Sequence, residues 1–264
     1  MSSSLKIVSF NLRNPWTYDG INAFVNRSGR ILNKIDEESP DVVCFQECKE
    51  NLRDFLSRHL SNDYDFHYQG RNEDLNGEGL AFAFKKSTVE LIEMSRFWLS
   101  PTPFVAGSRF EEQSNCPRIC QCLLLRTKAD NYCFRVYNTH LDHISDKARI
   151  LGIGAIMEKV KADFDMVPYP VFIMGDFNAE PDSDPIAFCN NYKEFPIVDL
   201  TTELARTFHQ FGELLNTDKT PCKIDYIYCD KATAEKSYTT RIWDEEIAGI
   251  YLSDHYPVCL EIEI

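Results

Sequence analysis

The sequence has 264 residues and a formal net charge of −13, because 41 Asp and Glu residues outnumber 28 Lys and Arg residues. A surface of that sign repels polyanions, which argues against nucleic-acid binding through an overall basic field. Hydrophobic residues make up 44% of the chain and charged residues 26%, a composition that favours a folded globular protein and excludes disordered, collagen-like and coiled-coil classes.

Strands are predicted where apolar runs rich in Val, Ile, Phe, Tyr and Cys are bounded by turn residues. In chain order these runs are 5–12, 41–47, 80–86, 89–99, 119–127, 132–141, 170–177, 223–229 and 256–264. A helical period predicts helices over about 21–38, 49–60 and 146–163, and Ser145 is a suitable N-cap for the last of these. Polar segments containing Gly, Pro or Asn predict loops at 13–20, 70–79, 100–118, 178–184 and 212–221. No repeat or linker divides the chain, so we expect one α/β domain over residues 1–264 with large sheets.

The N-terminal segment lacks the pattern of a secretion signal, and no run of 18 apolar residues predicts a membrane span. Several of the ten cysteines lie within apolar runs, where a free thiol packs as a small hydrophobic group. Their spacings match no structural zinc template. We therefore expect reduced thiols and a cytoplasmic location, and nothing in the sequence indicates a protein partner.

Six predicted strands end in, or lie next to, acidic, amide or imidazole side chains. The segments are Ser9-Phe-Asn11, Phe45-Gln-Glu47, Asn138-Thr-His140-Leu-Asp142, Gly175-Asp176-Phe-Asn178, Lys223-Ile-Asp225-Tyr and Ser253-Asp254-His255. Any one of them has an ordinary structural explanation, such as an Asx turn at Asp176 or a hydrogen-bonded core histidine at His140. Six in one chain favour a functional site.

These side chains supply mainly oxygen ligands, with no sulfur or multi-histidine set. Glu47, Asp254 and the amide oxygens of Asn11 and Asn178 suit a hard cation, Mg²⁺ first and Mn²⁺ second. The site would combine two histidines, several carboxylates and such a cation, and the sequence shows no activated Ser or Cys. This combination predicts attack of water on a phosphoryl centre.

The same segments, in the same order, resemble the endonuclease/exonuclease/phosphatase superfamily, whose members include deoxyribonuclease I. The matching residues are Ser9-Phe-Asn-Leu-Arg13, Phe45-Gln-Glu47, Asn138-Thr-His-Leu-Asp142, Gly175-Asp-Phe-Asn-Ala179, Ile224-Asp-Tyr-Ile227 and Ser253-Asp-His-Tyr-Pro-Val258. Further segments at Arg96–Pro103, Pro117–Cys120 and Thr207–His209 are similar to a branch of metal-dependent hydrolases whose substrates are mostly unassigned. The resemblance implies a four-layer α/β sandwich, with two packed mixed β-sheets flanked by helices.

The resemblance also implies a role for each matching residue. Glu47 would be the principal Mg²⁺ ligand, with Asn11 beside it and Asp254 completing the metal shell. Asp176 would orient or deprotonate the attacking water, and Asn178 would hold that water or the phosphate. The implied catalytic set also includes His255, which Asp225 would orient. His140 would stabilise the transition state or protonate the leaving oxygen, and Glu78 would hold His140.

Substrate contacts are predicted at Arg118, Trp98 and Asn138. Arg118 is suited to gripping a phosphate or carboxylate, although a surface ion pair would also explain it. Trp98, with Phe97, could form an aromatic wall for a base or sugar, and core packing is the alternative. Asn138 begins the segment that carries His140.

The sequence therefore predicts a Mg²⁺-dependent phosphoesterase acting on a small or single-stranded phosphate ester, such as a nucleotide or a single-stranded nucleic acid. An endonuclease or 3′-exonuclease is the alternative, since a basic cleft can exist in an acidic protein. A lipid phosphodiesterase ranks third because no membrane-docking segment is present. A non-catalytic binding protein on the same fold is disfavoured because the catalytic set is intact.

Overall fold

A computed structural model describes residues 4–15, 18–216 and 223–264 of the protein. Within these ranges the strands, numbered along the chain, are β1 (Ser4–Asn11), β2 (Val42–Cys48), β3 (Tyr64–Gly70), β4 (Gly79–Lys85), β5 (Val89–Trp98), β6 (Ile119–Thr127), β7 (Cys133–His140), β8 (Val171–Asp176), β9 (Ile197–Asp199), β10 (Asp225–Asp230), β11 (Tyr238–Ile242) and β12 (Val258–Glu263). The α-helices are α1 (Phe24–Glu38), α2 (Glu50–Leu60), α3 (Asp146–Met166), α4 (Asp184–Asn190) and α5 (Lys231–Ala234). Short 3-10 helices cover Gly20–Asn22 and Glu213–Asn216.

The strands form two six-stranded mixed sheets. The first has the order β11-β12-β1-β2-β4-β3 and the second the order β5-β6-β7-β8-β10-β9. Each contains one parallel pair, β1 with β2 and β7 with β8, and the other neighbours are antiparallel. The ends of these central strands meet at one edge of the molecule.

Three large apolar clusters lie between the layers of the fold. One cluster joins the inner faces of the two sheets and includes Ile7, Phe82, Phe134, Phe172 and Val258. The outer face of the first sheet packs against α1 and α2, and the outer face of the second packs against α3 and α4. Full burial of each such side chain is worth roughly 1.5–3 kcal/mol. The order helix, sheet, sheet, helix confirms the predicted four-layer sandwich.

All nine predicted strands and all three predicted helices are present, with ends shifted by a few residues. Ser145 caps α3 as expected, since its Oγ accepts a hydrogen bond from the amide of Ala148 at 3.2 Å. Three strands, β3, β9 and β11, and two helices, α4 and α5, were not predicted. Parts of two predicted loops, residues 16–17 and 217–221, lie outside the described residues.

The described cysteines are free. No helix among the described residues is long and apolar enough to cross a membrane.

Candidate active site

Three neighbouring strands of the second sheet bring His140, Asp176 and Asp225 to the same level. His140 at the end of β7 pairs with Asp176 of β8, and Asp176 pairs with Asp225 at the start of β10. Gly175 makes this approach possible, because a Cβ atom there would lie 1.9 Å from the carbonyl oxygen of Thr139 and its φ is +143°. Three of the predicted catalytic residues are thus set side by side by strand register alone.

The first sheet contributes Asn11 from the end of β1 and Glu47 from the end of β2. The Asn11 Nδ2 atom donates to Glu47 Oε1 at 3.2 Å and to Asp176 Oδ2 at 3.0 Å. Glu47 has a positive φ of 54°, at a point where β2 shifts register against β4. A non-glycine residue in this region is strained, and such strain is concentrated at functional sites. Asn11 therefore links carboxylates from the two sheets.

His255 lies in the loop before β12 and is oriented by Asp225. Its Nδ1 atom donates to Asp225 Oδ2 at 2.9 Å, which leaves Nε2 at 3.8 Å from Asp176 Oδ2. Burial lowers the pKa of His255, but the nearby carboxylates, Asp225 foremost, outweigh it and raise the pKa above its ordinary value. The protonated imidazole is therefore the favoured form.

The pKa of His140 shifts in the opposite direction to that of His255. Burial, reinforced by the positive charges of Arg118 and Arg71, lowers its pKa well below the ordinary value. Its Nε2 atom lies 3.4 Å from Asp176 Oδ2, and its Nδ1 atom lies 3.9 Å from Glu78 Oε1. A neutral ring in this position can donate one N–H into the site.

Asp176 lies between the two imidazoles. Burial, together with the charge of Asp225, raises its pKa, although His255 and a 2.8 Å hydrogen bond from the amide of Asn178 act in the other direction. A carboxylate with a raised pKa is a stronger base than an ordinary one. Asn178 itself has a φ of 50° and donates from Nδ2 to the carbonyl of Leu141 at 3.1 Å.

Thr207 and His209 hold the two loops that carry Asp225 and His255. Thr207 Oγ1 accepts from the amides of Ile224 and Asp225 at 3.0 and 3.1 Å. The amide of Tyr256 donates to the carbonyl of Thr207 at 2.7 Å, and the amide of His209 donates to that of Asp254 at 2.9 Å. The segment that contains both residues thus fixes the position of the Asp225–His255 pair.

These groups surround a pocket of about 570 Å³. It combines acidic, basic and imidazole side chains: Arg13, Glu47, Arg71, Glu78, Cys116, Arg118, His140, His143, Asp176, Asn178, Glu180, Phe208, Ile224, Asp254 and His255. A volume of this size suits a small molecule or a few residues of a polymer.

The donor set fits a hard divalent cation. One ligand atom each from Glu47, His140 and Asp176 lie within 4.8 Å of one another, and the two carboxylates among them are the kind of oxygen ligand that a hard cation prefers. Of the other predicted ligands, Asn11 receives the amide of Arg13 on its Oδ1 atom at 2.9 Å. Asp254 Oδ2 lies 3.2 Å from Arg13 Nη1. Both residues therefore lie next to the candidate site, and both have partners within the protein.

The three predicted substrate contacts are placed differently. Arg118 lines the pocket and is 4% exposed. Trp98 is buried beside the pocket, where its Nε1 donates to the carbonyl of Arg71 at 2.7 Å. Asn138 lies between the sheets, where it donates to the carbonyls of Phe45 and Ala81. It has no exposed surface for a substrate to contact, so the structure gives it a role in joining the sheets.

Arg71 and Phe208 also line the pocket and were not among the predicted site residues. Arg71 directly follows β3 and forms an ion pair with Glu78. Recognition of β3 in the sequence would have identified Arg71 as a further residue at a strand end. Phe208 packs against His255 with ring centroids 4.9 Å apart, and the signal for it was the segment Thr207-Phe-His209.

Comparison with known proteins agrees with this geometry. A sequence profile of the Endonuclease/Exonuclease/phosphatase family matches residues 8–255. The chain belongs to this family, whose members are phosphoesterases and nucleases that generally depend on a divalent metal, and it is an enzyme of that type.

Related solved structures cover almost the whole chain. An endonuclease/exonuclease/phosphatase from Bacteroides vulgatus is 26% identical, with a TM-score of 0.88, over 99% of each chain. A functionally unknown conserved protein from Enterococcus faecalis V583 is 28% identical, with a TM-score of 0.83, over 98% of this chain and 99% of that one. The mannosyl-6-phosphatase Bt3783 of Bacteroides thetaiotaomicron VPI-5482 is 24% identical, with a TM-score of 0.83, over 98% of this chain and 100% of that one. This last similarity shows a common fold.

Proposed function

We propose that the protein is a Mg²⁺-dependent phosphoesterase that hydrolyses a small phosphate ester by in-line attack of water. The observation that carries the proposal is the convergence of Asp176, His140 and His255 on one pocket, with contacts of 3.4 and 3.8 Å from Asp176 to the two imidazoles. This set supplies a base, a neutral N–H donor and a cationic donor around one point. Hydrolysis of a phosphate ester is accelerated by groups that position the water and stabilise the charge that develops on the phosphate oxygens.

Asp176 orients the attacking water and accepts its proton. Its raised pKa makes it a suitable base, and Asn11 and Asn178 hold its two oxygens by hydrogen bonds of 3.0 and 2.8 Å. Because both oxygens are fixed, the water that binds to Asp176 has a defined position relative to the phosphorus atom. Asn178 lines the pocket beside it, as expected of a residue that holds the water or the phosphate.

The two histidines act on the phosphate oxygens. Protonated His255, held by Asp225, contacts a non-bridging oxygen and neutralises part of its charge. Neutral His140 donates one N–H to the charge that develops in the transition state, since its lowered pKa makes it a weak source of protons. Of the two roles predicted for His140, transition-state stabilisation is therefore the one we propose.

Glu47 would be the principal ligand of the metal, with Asn11 and Asp254 beside it. The Glu47 carboxylate is fixed by donors on both oxygens, Asn11 Nδ2 at 3.2 Å and the amide of Asn14 at 2.6 Å. A bound Mg²⁺ supplies positive charge that polarises the phosphate and stabilises the leaving oxygen. Mn²⁺ prefers the same oxygen ligands and can substitute.

A small substrate is favoured over a long nucleic acid. The net charge of −13 opposes association with a polyanion, and the pocket volume of about 570 Å³ suits a molecule of a few hundred daltons. Similarity in fold to a mannosyl-6-phosphatase is consistent with this preference. Nucleotides and short single-stranded oligonucleotides remain within the proposed class.

The proposal is tested by a screen of phosphate monoesters, phosphodiesters and oligonucleotides with Mg²⁺, Mn²⁺ or EDTA. We expect metal-dependent release of product from at least one small ester, and higher kcat/KM on small esters than on duplex DNA or long RNA. Hydrolysis of plasmid DNA in preference to every small ester would establish the endonuclease alternative. No hydrolysis of any compound with either metal would favour a binding protein.

A further inference from the structure

The pocket extends beyond the reacting groups into a second cluster of cationic and imidazole side chains. Arg71, Arg118 and His143 line this end of the pocket, and we name them the arginine subsite. Arg118 Nη2 lies 3.1 Å from His143 Nδ1, and Glu78 Oε1, which is paired with Arg71, lies 3.9 Å from both Arg118 Nη1 and His140 Nδ1. In the mechanism proposed above none of the three residues contacts the reacting phosphate, and the two arginines act only through the effect of their charge on the pKa of His140.

Arg118 is an unusual buried cation. Its side chain is 4% exposed, yet its Nε and Nη1 atoms have no hydrogen-bond partner among the described residues. The carboxylate of Glu78 lies 3.9 Å from Nη1, beyond hydrogen-bond distance. A buried donor without a partner destabilises the fold, and more so when it is charged. Such a group is expected where a ligand supplies the missing acceptor.

The charges of the cluster do not balance. Glu78 forms an ion pair with Arg71 and accepts a 2.7 Å hydrogen bond from Asn14 Nδ2, so its two oxygens are already engaged. Among the described residues, Glu78 is the one carboxylate within ion-pair distance of these two guanidinium groups. The excess positive charge, buried at the end of an open pocket, favours an anionic ligand.

The surrounding loops hold the subsite in place. Asp142 accepts hydrogen bonds from the amides of Ser114 at 3.1 Å, Ile144 at 3.0 Å and Ser145 at 2.9 Å. It therefore ties the segment that precedes Arg118 to the segment that contains His143. Trp98 anchors the backbone of Arg71 through its Nε1 atom. A binding site fixed in this way loses little entropy when its ligand binds.

The position of the subsite defines which part of a substrate it contacts. The Nε2 side of His140 faces Asp176, at the reacting centre, whereas its Nδ1 side faces Glu78 and hence the two arginines. An anion at the arginine subsite is therefore displaced from the phosphate that reacts.

We propose that Arg71, Arg118 and His143 bind a second, non-reacting phosphate group, so that the preferred substrates are small molecules bearing two phosphates. This inference rests on the proposed phosphoesterase function. The second phosphate accepts hydrogen bonds from the guanidinium groups of Arg118 and Arg71 and from the ring of His143, which fixes the scissile phosphate near Asp176.

The test compares matched substrates that differ only in the second phosphate. Suitable pairs are glucose 6-phosphate with glucose 1,6-bisphosphate and adenosine 5′-phosphate with adenosine 3′,5′-bisphosphate. We expect the wild-type protein with Mg²⁺ to favour the bisphosphate of at least one pair by about 10-fold or more in kcat/KM. Arg118→Gln should abolish that preference, mainly through KM, and Arg118→Lys should restore part of it. Arg58→Gln, at an exposed position on α2, is the matched control and should retain the preference.

Three outcomes would overturn the proposal: no wild-type preference in any pair, equal losses on both members of a pair in Arg118→Gln, or a preference that survives in that variant. A separate measurement does not depend on turnover. With EDTA present, isothermal titration calorimetry should detect binding of inorganic phosphate to the wild-type protein, and Arg118→Gln should weaken it at least 10-fold. Binding that Arg118→Gln leaves intact would refute the subsite. Loss of binding in this variant, in a protein inactive on every ester, would support the subsite and refute the proposed reaction.

Discussion

The Nδ1 atom of His255 donates to Oδ2 of Asp225 across 2.9 Å, and both residues are almost fully buried. This pair joins a strand of the second sheet to the loop before β12 of the first sheet. It thus fixes the ring of His255 at the point where the two sheets meet. The same bond accounts for much of the raised pKa of His255.

Replacement of Asp225 by Asn should lower kcat by about 10²–10⁴-fold. Asn retains the size of the side chain but loses the charge that keeps His255 protonated, so the pKa of His255 should fall. Steady-state kinetics and NMR titration of the histidine resonances measure the two effects. Kinetics and a His255 pKa equal to those of the wild type would contradict the role of Asp225.

Glu47→Gln should raise the Mg²⁺ concentration required for half-maximal activity by about 10-fold or more, because a neutral amide is a weaker ligand for a hard cation. Addition of Mg²⁺ should also raise the Tm of the wild-type protein more than that of the variant. Glu93→Gln, at an exposed position on β5, is the control. Equal metal dependence in Glu47→Gln and the wild type would place the metal elsewhere.

Thr207→Val should destabilise the fold by about 1–3 kcal/mol, since it leaves the buried amides of Ile224 and Asp225 without their acceptor. Urea unfolding followed by circular dichroism gives the free energy directly. Thr239→Val, on an exposed face of β11, should change it little. If Thr207→Val lowered the free energy of unfolding no more than the control does, Thr207 would not support the segment that contains Ile224 and Asp225.

Glu38 should make the fold sensitive to acid. Burial acts to raise its pKa, but hydrogen bonds and charges of Arg241 and Lys34 prevail and lower the pKa to about 2, from an ordinary value of 4.5. Because the folded-state pKa is the lower one, the stabilisation is complete above pH 4.5 and is lost as the pH falls towards 2.

The difference in unfolding free energy between the wild type and Glu38→Gln should therefore narrow between pH 4.5 and 2. Urea unfolding at a series of pH values measures this difference. A difference that does not change over this range would mean that the three side chains do not interact as described.

The central layers of the fold were predictable because their strands are continuous apolar runs. The strands that escaped prediction lie towards the edges of the sheets: β3 is largely polar, β9 has three residues and β11 is half polar and exposed. These three strands are only partly buried, so their sequences carry a weaker apolar pattern.

The motifs predicted residues that the structure brings together at the candidate site, but they did not predict all of the contacts between these residues. Motifs identified Asp176, His140 and Asp225, whereas strand register decides that they lie side by side, and register cannot be taken from one sequence. Asn138 illustrates the limit, because its polar side chain at a strand end bridges the two sheets rather than facing the pocket. The unpaired state of Arg118 likewise depends on distances that only the folded chain defines.

The role of Asp176 as the base is tested by comparing Asp176→Asn with the wild type on the best ester found in the screen. Asp182→Asn, which is exposed, serves as the matched control. We predict that Asp176→Asn lowers kcat by about 10²–10⁴-fold in saturating Mg²⁺ while its circular dichroism spectrum stays that of the wild type. Hydrolysis by Asp176→Asn at the rate of the control would contradict the assignment of the base and, with it, the proposed mechanism.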